Sequence, residues 1–359
     1  MLEINPEIKE AHTPSGEFYK DASLFERSKD AIFARSWHFT ADTSHFSTAG
    51  QVLPHVILEG FLNEPVLLTR DENDRISVLS NVCTHRANIL VEHPCKLKKI
   101  VCNYHGRRFD LGGKFEFMPE FREAKNFPCE DDNLAKVPFG VWRDKFVFTS
   151  INPAFEVEKI FEVLDRKLYF LPLKDFRFDG TRSRDYLVKA HWALYAENYL
   201  EGLHIPFVHP SLNSVLDYGT YKYEQFEYGN LQTGFAKTIN ESFDLPKGHE
   251  DYGKNVAAYY YWFFPNLMLN FYPWGLSVNI IKPLNNSLSK VSFLTFVWDE
   301  SKMNAGAGAD LDKVEREDEY VVENVQKGIV SRFYKKGRYS PSKEQNVHQF
   351  HTLLSRFMQ

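Results

Sequence analysis

Two short ligand pairs constrain this chain more than any other feature: Cys83-Thr-His85 and Cys102-Asn-Tyr-His105, with sixteen residues between them. Each follows a strand-like run, Ile76-Ser-Val-Leu or Lys99-Ile-Val, and so falls at a turn where both side chains of a pair can point to one metal centre. Thiolates and imidazoles in this number hold either a Cys2His2 zinc ion or a two-iron cluster, in which the cysteines bind one iron and the histidines the other. A zinc finger usually keeps its cysteines together and its histidines together. Here each pair mixes one of each, and that order favours the cluster.

The rest of the chain is ordinary globular material. With 359 residues, 43% hydrophobic and 15% aromatic, it supports two packed cores. Lys and Arg total 43 against 48 Asp and Glu, with both signs scattered, so no basic face is expected to meet nucleic acid. Four cysteines are too few for a disulfide framework and are read as reduced thiols or ligands; Cys95 and Cys129, outside the pairs, are expected to be buried small apolar residues. The amino terminus lacks the apolar core of a secretory signal, which leaves a cytoplasmic location as the expectation. The stretch from Asn255 to Ile281 carries no charge and is long enough to span a bilayer, but Pro265, Pro273, Asn266, Asn270 and Asn279 fit buried strands better, and no membrane partner is expected.

Apolar recurrence after Asp21 predicts a helix over 22–37, and short β-like runs fill residues 50–150, including Val141–Thr149 read as a single run. Strand-like segments recur between 184 and 300. The Ala-Gly-Ala-Gly-Ala run within 302–310 reads as a loop, and the last fifty residues read as helical.

A second constellation lies further along. Lys189–Gly202 reads as a helix that Pro206 should end, with Glu201 three residues before His204 and on its face, and His209 past the proline where the chain can fold back. Two histidines and a carboxylate suit a non-haem ferrous ion, although His-x4-His alone fits two histidines satisfied in a core equally well. For the carboxylate, a stripe of Val314, Val321, Val322, Val325, Ile329 and Phe333 puts Asp318 near its centre and Glu315 and Glu319 toward the opposite side; Glu317 is the alternative. A carboxylate in a buried stripe needs a cation or strong donors.

Taken together, these motifs resemble a known family. Cys-x-His, then Cys-x-x-His-Gly, then Phe109-Asp-Leu-Gly-Gly-Lys114 is similar to the Rieske iron–sulfur motif, with Arg107 where Rieske oxygenases commonly carry Trp. Glu197-Asn-Tyr-Leu-Glu-Gly-Leu-His-Ile-Pro-Phe-Val-His209-Pro resembles the catalytic motif of the α subunits of Rieske non-haem iron oxygenases. The resemblance implies an α+β protein: an N-terminal helical segment (1–37) packing on the catalytic domain, an all-β Rieske [2Fe-2S] domain (38–150), and a helix-grip catalytic domain with a large antiparallel sheet (151–359). It implies a cluster on Cys83, His85, Cys102 and His105, and a mononuclear Fe(II) on His204, His209 and Asp318, the acid preceding a Val-x-x-x-Gln-x-Gly pattern at 322–328.

The same resemblance gives Glu201 the role of bridging a cluster histidine of one subunit to an iron histidine of the next in a head-to-tail homotrimer. Most ring-hydroxylating members have Asp there; Glu resembles the branch that oxidises quaternary ammonium compounds. Pro265–Gly275 is similar to choline- and betaine-oxidising relatives, and the aromatic runs Tyr259–Phe264 and Phe271–Trp274 read either as core strands or as a cage for a trimethylammonium group. No Gly-x-Gly-x-x-Gly fingerprint occurs, so electrons are expected from NAD(P)H through a separate flavin or iron–sulfur reductase, or a ferredoxin. The implied reaction is O2-dependent hydroxylation of a small organic substrate. The alternatives are an aromatic ring-hydroxylating dioxygenase, an O-demethylase, and, from another class, a Rieske electron-transfer protein without catalysis.

Overall fold

Turn residues spaced between short apolar runs make residues 34–158 a β unit, one of two compact units in the chain; the other is 1–33 with 159–359. The computed structural model describes residues 2–210, 221–303, 306–309 and 311–359. Ten strands build the β unit: β1 (His38–Asp42), β2 (Gln51–Ile57), β3 (Glu64–Arg70), β4 (Ile76–Ser80), β5 (Cys95–Lys96), β6 (Ile100–Val101), β7 (Arg108–Phe109), β8 (Phe115–Phe117), β9 (Phe139–Trp142) and β10 (Phe146–Thr149). They form three small sheets, ordered β1-β10-β9, β4-β3-β2-β5 and β6-β7-β8. Val141–Thr149 is a hairpin and not one run: Arg143 and Asp144 take positive φ (48° and 57°), the mirror-image turn that matches strand twist.

Cross-strand partners Leu67 and Leu79, with Val52, Ile100, Phe109 and Leu111, bury the inner faces of these sheets around Cys83 and Cys102. Each such buried aliphatic side chain contributes roughly 1.5–3 kcal/mol. Cys95 and Cys129 are exposed, contrary to the expectation of burial. One lies on the short strand β5, the other starts a 3-10 turn at Glu130–Asp132, and neither position has a second layer to cover it.

The larger unit is organised by one seven-stranded antiparallel sheet, ordered β11-β17-β16-β15-β14-β13-β12. Its strands are β11 (Arg177–Val188), β12 (Lys222–Phe226), β13 (Gly229–Phe235), β14 (Val256–Phe263), β15 (Leu267–Tyr272), β16 (Gly275–Asn285) and β17 (Leu288–Val297). The uncharged stretch 255–281 supplies its central strands, buried on both faces, which explains a near-continuous apolar run without a membrane. Among the described residues no helix is long and apolar enough to cross a bilayer.

Among the described residues the helices are α1 (Ala22–Ala31), α2 (Glu158–Leu168), α3 (Trp192–Tyr199), α4 (Ile205–Val208), α5 (Leu311–Ile329) and α6 (Gln345–Phe357). Asp21 caps α1 through the Ser23 and Leu24 N–H groups. At the entry to α3, the His191 ring accepts from Ala193 N–H, while Lys189 and His191 N–H groups donate to Glu323 and Gln326 of α5. That exchange ties α3 to α5.

Two helical expectations are corrected. Pro206 does not end a helix from 189; α3 stops at Tyr199 and the proline lies in the first turn of α4, where a missing N–H is harmless. On α5 the inward positions are Glu315, Val322 and Ile329, whereas Val325 is exposed and Phe333 lies beyond the helix end, 97% exposed. The inner face follows hydrogen-bonding partners on α3, which counting apolar residues does not reveal.

Candidate metal centres

The two Cys-His loops are built on one backbone plan. Cys83 N–H donates to Asn88 C=O and Cys102 N–H to Arg107 C=O, each five residues on, while Ala87 and Gly106 N–H groups return to the cysteine carbonyls. Ala87 (φ 52°) and Gly106 (φ 72°) occupy the same left-handed place in each loop, four residues after the cysteine. His85 and His105 therefore emerge from matching turns despite their different spacing. Their Nδ1 atoms stand 3.2 Å apart, and the two thiols are within hydrogen-bonding reach of each other and buried. The donors thus sort into a nitrogen pair and a sulfur pair, the set that a two-iron cluster with one histidine-bound iron requires and a single zinc does not.

Arg107 sits behind this centre and not at its surface. It is buried, its guanidinium 2.5 Å from Asp132 and 4.9 Å from the centroid of Phe115, with Phe109 and Phe127 completing an aromatic box. Tyr104, 57% exposed, lies tilted by 31° against His105, with ring centroids 3.7 Å apart.

The second constellation converges in the larger unit. His204, His209 and Asp318 each offer one donor atom, and these lie within 4.8 Å of one another. The Nε2 atoms of His209 and His204 stand 3.0 and 3.6 Å from Asp318 Oδ1. Their Nδ1 atoms face outward to carboxylates: His204 to Glu201 at 2.6 Å, His209 to Glu317 at 2.7 Å. Glu201 also accepts the Leu203 and His204 N–H groups, replacing the helical bonds lost where α3 ends. Asn198 Nδ2 donates to Asp318 Oδ1 at 2.6 Å. Burial disfavours a charged His209, but the hydrogen bonds and charges of Asp318 and Glu317 outweigh it and raise its pKa above the usual histidine value. Two imidazoles with Nε2 inward, one carboxylate among them, and acceptors fixing each far nitrogen form a donor set that suits a ferrous ion with open positions.

A cavity of about 120 Å³ opens on these three donors. Its floor is a row across the sheet, where Gln232 pairs with Tyr260 and Tyr260 with Asn270, and its walls include Tyr195, Tyr199, Tyr221 and Tyr272. Strand alternation divides the aromatic runs: Tyr260 and Tyr272 reach the cavity, whereas Tyr259 turns to Asp251 and Tyr261 to the Val163 carbonyl. The runs are therefore core strands, with Tyr260 and Tyr272 also lining the cavity. The sequence did not single out Asn198, Glu317 as the partner of His209, or Glu315 as a wall of the cavity; the nearest signal was that Asn198 lies three residues before Glu201.

A model of the Rieske [2Fe-2S] domain matches residues 36–128, and one of the ring hydroxylating alpha subunit (catalytic domain) matches residues 173–359. The chain is 29% identical over 376 residues to the chloroplastic choline monooxygenase of Arabidopsis thaliana, covering 99% of this chain and 85% of that protein. It is 28% identical over 370 residues to the carnitine monooxygenase oxygenase subunit of Escherichia coli (strain K12), covering 98% and 94%. A solved quaternary ammonium Rieske monooxygenase superposes with a TM-score of 0.79 at 22% identity over 100% of both chains. Naphthalene 1,2-dioxygenase from Rhodococcus sp. gives 0.75 at 16% identity over 96% and 94%. These last two likenesses establish the fold.

Proposed function

Because this chain belongs to the ring-hydroxylating alpha subunits and is a Rieske terminal oxygenase, we propose that it oxidises a small quaternary ammonium compound, with its cluster on Cys83, His85, Cys102 and His105 and its iron on His204, His209 and Asp318. The observation that carries this reading is the cavity: five tyrosines, Tyr195, Tyr199, Tyr221, Tyr260 and Tyr272, line it beside the donor triad, and among the described residues its lining includes no Lys or Arg. Aromatic faces attract alkylammonium groups, whereas an aromatic hydrocarbon would gain nothing from the acids in the same wall. When bound, the two metal groups supply one-electron reduction and the activation of O2.

The chain's own residues do the rest. Glu201 and Glu317 hold the imidazoles in one tautomer and orientation; Asn198 fixes Asp318; the tyrosines position an N-methyl carbon and exclude water. We assign electron delivery to residues 38–150, catalysis to 151–359, and support of the catalytic sheet to 1–37. Within the larger unit, Tyr19 donates to Glu197 and Ser355 to the Leu2 carbonyl.

Electrons come in this reading from NAD(P)H through a separate reductase, in a cytoplasmic homotrimer. What supports the oligomer is the exposure of Leu203 and Phe207 (82%) on either side of His204, and of Tyr104 on His105, apolar faces suited to a neighbouring copy. Glu201 would then complete its bridge with a partner's cluster histidine. The test is metal analysis joined to oxygen uptake with choline, carnitine and glycine betaine under chemical reduction. Three irons per chain and uptake coupled to aldehyde release are expected. Cis-diols from aromatic substrates without ammonium turnover would overturn the substrate class, and two irons per chain would reduce the protein to an electron carrier.

A further inference from the structure

The described cavity wall contains one acid that the proposed chemistry leaves unused. Glu315, one turn before Asp318 on α5, is 3% exposed. Its Oε2 accepts from the Tyr195 hydroxyl, while its Oε1 is buried without a hydrogen-bond partner among the described residues. A carboxyl oxygen sealed from water without a partner is strongly disfavoured unless a guest supplies one. Burial raises this carboxyl well above its usual value, with the Tyr195 hydroxyl working the other way, so the empty site holds the neutral acid and a bound cation takes the place of a proton released to solvent.

The chemistry of the guest follows from the rest of the lining. Among the described residues three acids border the cavity, Glu201, Glu315 and Asp318, and the first and last already face imidazoles. No Lys or Arg lines it, and residues 211–220, 304–305 and 310, outside the described chain, include none in sequence. An ammonium group therefore has a counter-charge here, and a carboxylate on the same guest has none.

We propose that Glu315 is the specificity-determining counter-charge of this oxygenase, selecting small alkylammonium cations of net positive charge over zwitterionic betaines and over neutral molecules of the same shape. The inference rests on the reading of this cavity as a site of ammonium oxidation and narrows it, since it sets the chain apart from relatives that oxidise a zwitterion such as carnitine. Tyr195 positions the carboxyl through Oε2, so that its charge stands in the cavity wall, while the neighbouring tyrosines surround the guest's methyl groups.

The experiment is calorimetric titration of the iron-loaded protein with three probes: choline, glycine betaine, and 3,3-dimethylbutan-1-ol, the neutral carbon isostere of choline. Choline should bind at least tenfold more tightly than either of the others. This ranking needs no variant and so stands whether or not a substitution folds. Glu315→Gln keeps the shape and the Tyr195 contact but removes the charge; it should weaken choline at least tenfold, leave the isostere within twofold, and leave the visible spectrum of the cluster unaltered. Equal binding of choline and the isostere, or choline binding undiminished in Glu315→Gln, overturns the proposal. Choline and betaine bound and oxidised alike would overturn the role of Glu315 while leaving ammonium oxidation standing. Failure of every ammonium compound to bind would overturn both.

Discussion

Replacing Glu317 tests how the donor triad is held, and its outcome can be worked from the structure. Glu317 Oε2 lies 2.7 Å from His209 Nδ1, and His209 is 1% exposed, so Glu317 is the acceptor that this ring nitrogen meets. The bond fixes the proton on Nδ1 and leaves Nε2 free to donate its lone pair beside Asp318. A hydrogen bond to a charged group contributes about 1.5–3 kcal/mol, and a neutral one about 0.5–1.5. Glu317→Gln, which retains an acceptor without charge, should therefore cost about 1 kcal/mol, roughly fivefold in ferrous affinity. Glu317→Ala removes the acceptor and should cost about 10- to 100-fold, the usual range for losing the partner of a metal-bound histidine.

Asp318→Ala removes a donor, and the purified variant should retain only the irons of its cluster. The assay is competition with a ferrous chelator followed by iron analysis, with the paramagnetic signal of the reduced cluster as an internal control. Wild-type affinity in Glu317→Ala would refute the orienting role. Loss of iron from Glu317→Ala, with retention in Asp318→Ala, would show that the two acids had been assigned the wrong way round.

Arg107→Met should destabilise the β unit by about 2–4 kcal/mol, because it strips a buried cation from Asp132 and from three aromatic rings; thermal melts read at the cluster's visible absorbance would show it, and an unchanged melt would contradict it. A Cβ added at Gly308 would stand 2.4 Å from Trp274 Nε1 and 3.0 Å from the Tyr272 ring, so Gly308→Ala should push Tyr272 into the cavity and raise KM several-fold at unchanged iron content in steady-state kinetics. Asp251 is held from its usual 3.8 down to about 2: burial opposes this, but hydrogen bonds from Lys167 and Lys254 prevail. A carboxyl depressed on folding stabilises above its unfolded pKa, so this contribution is complete above about pH 4 and disappears as pH falls toward 2. Asp251→Asn should flatten that acid limb and cost about 3 kcal/mol at neutral pH, measured by denaturant melts across the range.

What the sequence disclosed was local. Cys83 and His85, or Cys102 and His105, lie within one turn, so their chemistry can be read from spacing alone. The uncharged stretch 255–281 announced central strands because both faces of the sheet are covered. What it withheld depends on distant partners. Glu315 was expected on the outer side of α5 because its inner face was inferred from valines, yet Tyr195 on α3, 120 residues away, draws that acid inward. Glu317 meets His209 across 108 residues, so spacing could mark it as a rival ligand but not as the imidazole's partner. Pro206 misled for a related reason: the backbone bonds that release the helix before it come from the side chain of Glu201.

Glu315, Glu317 and Asp318 occupy a single turn of α5, and each serves a different part of the site: the guest's charge, the back of one imidazole, and the donor triad. A helix is stiff over so short a span, so these parts share one mechanical coordinate. Sliding or rotating α5 would alter guest recognition and donor geometry together, and neither can be tuned alone by moving backbone. Length changes in the loop before Leu311 should accordingly disturb recognition and iron binding together, because they shift the helix as a body. One residue inserted between Glu315 and Glu317 would turn one acid about 100° from the others and separate recognition from chemistry altogether.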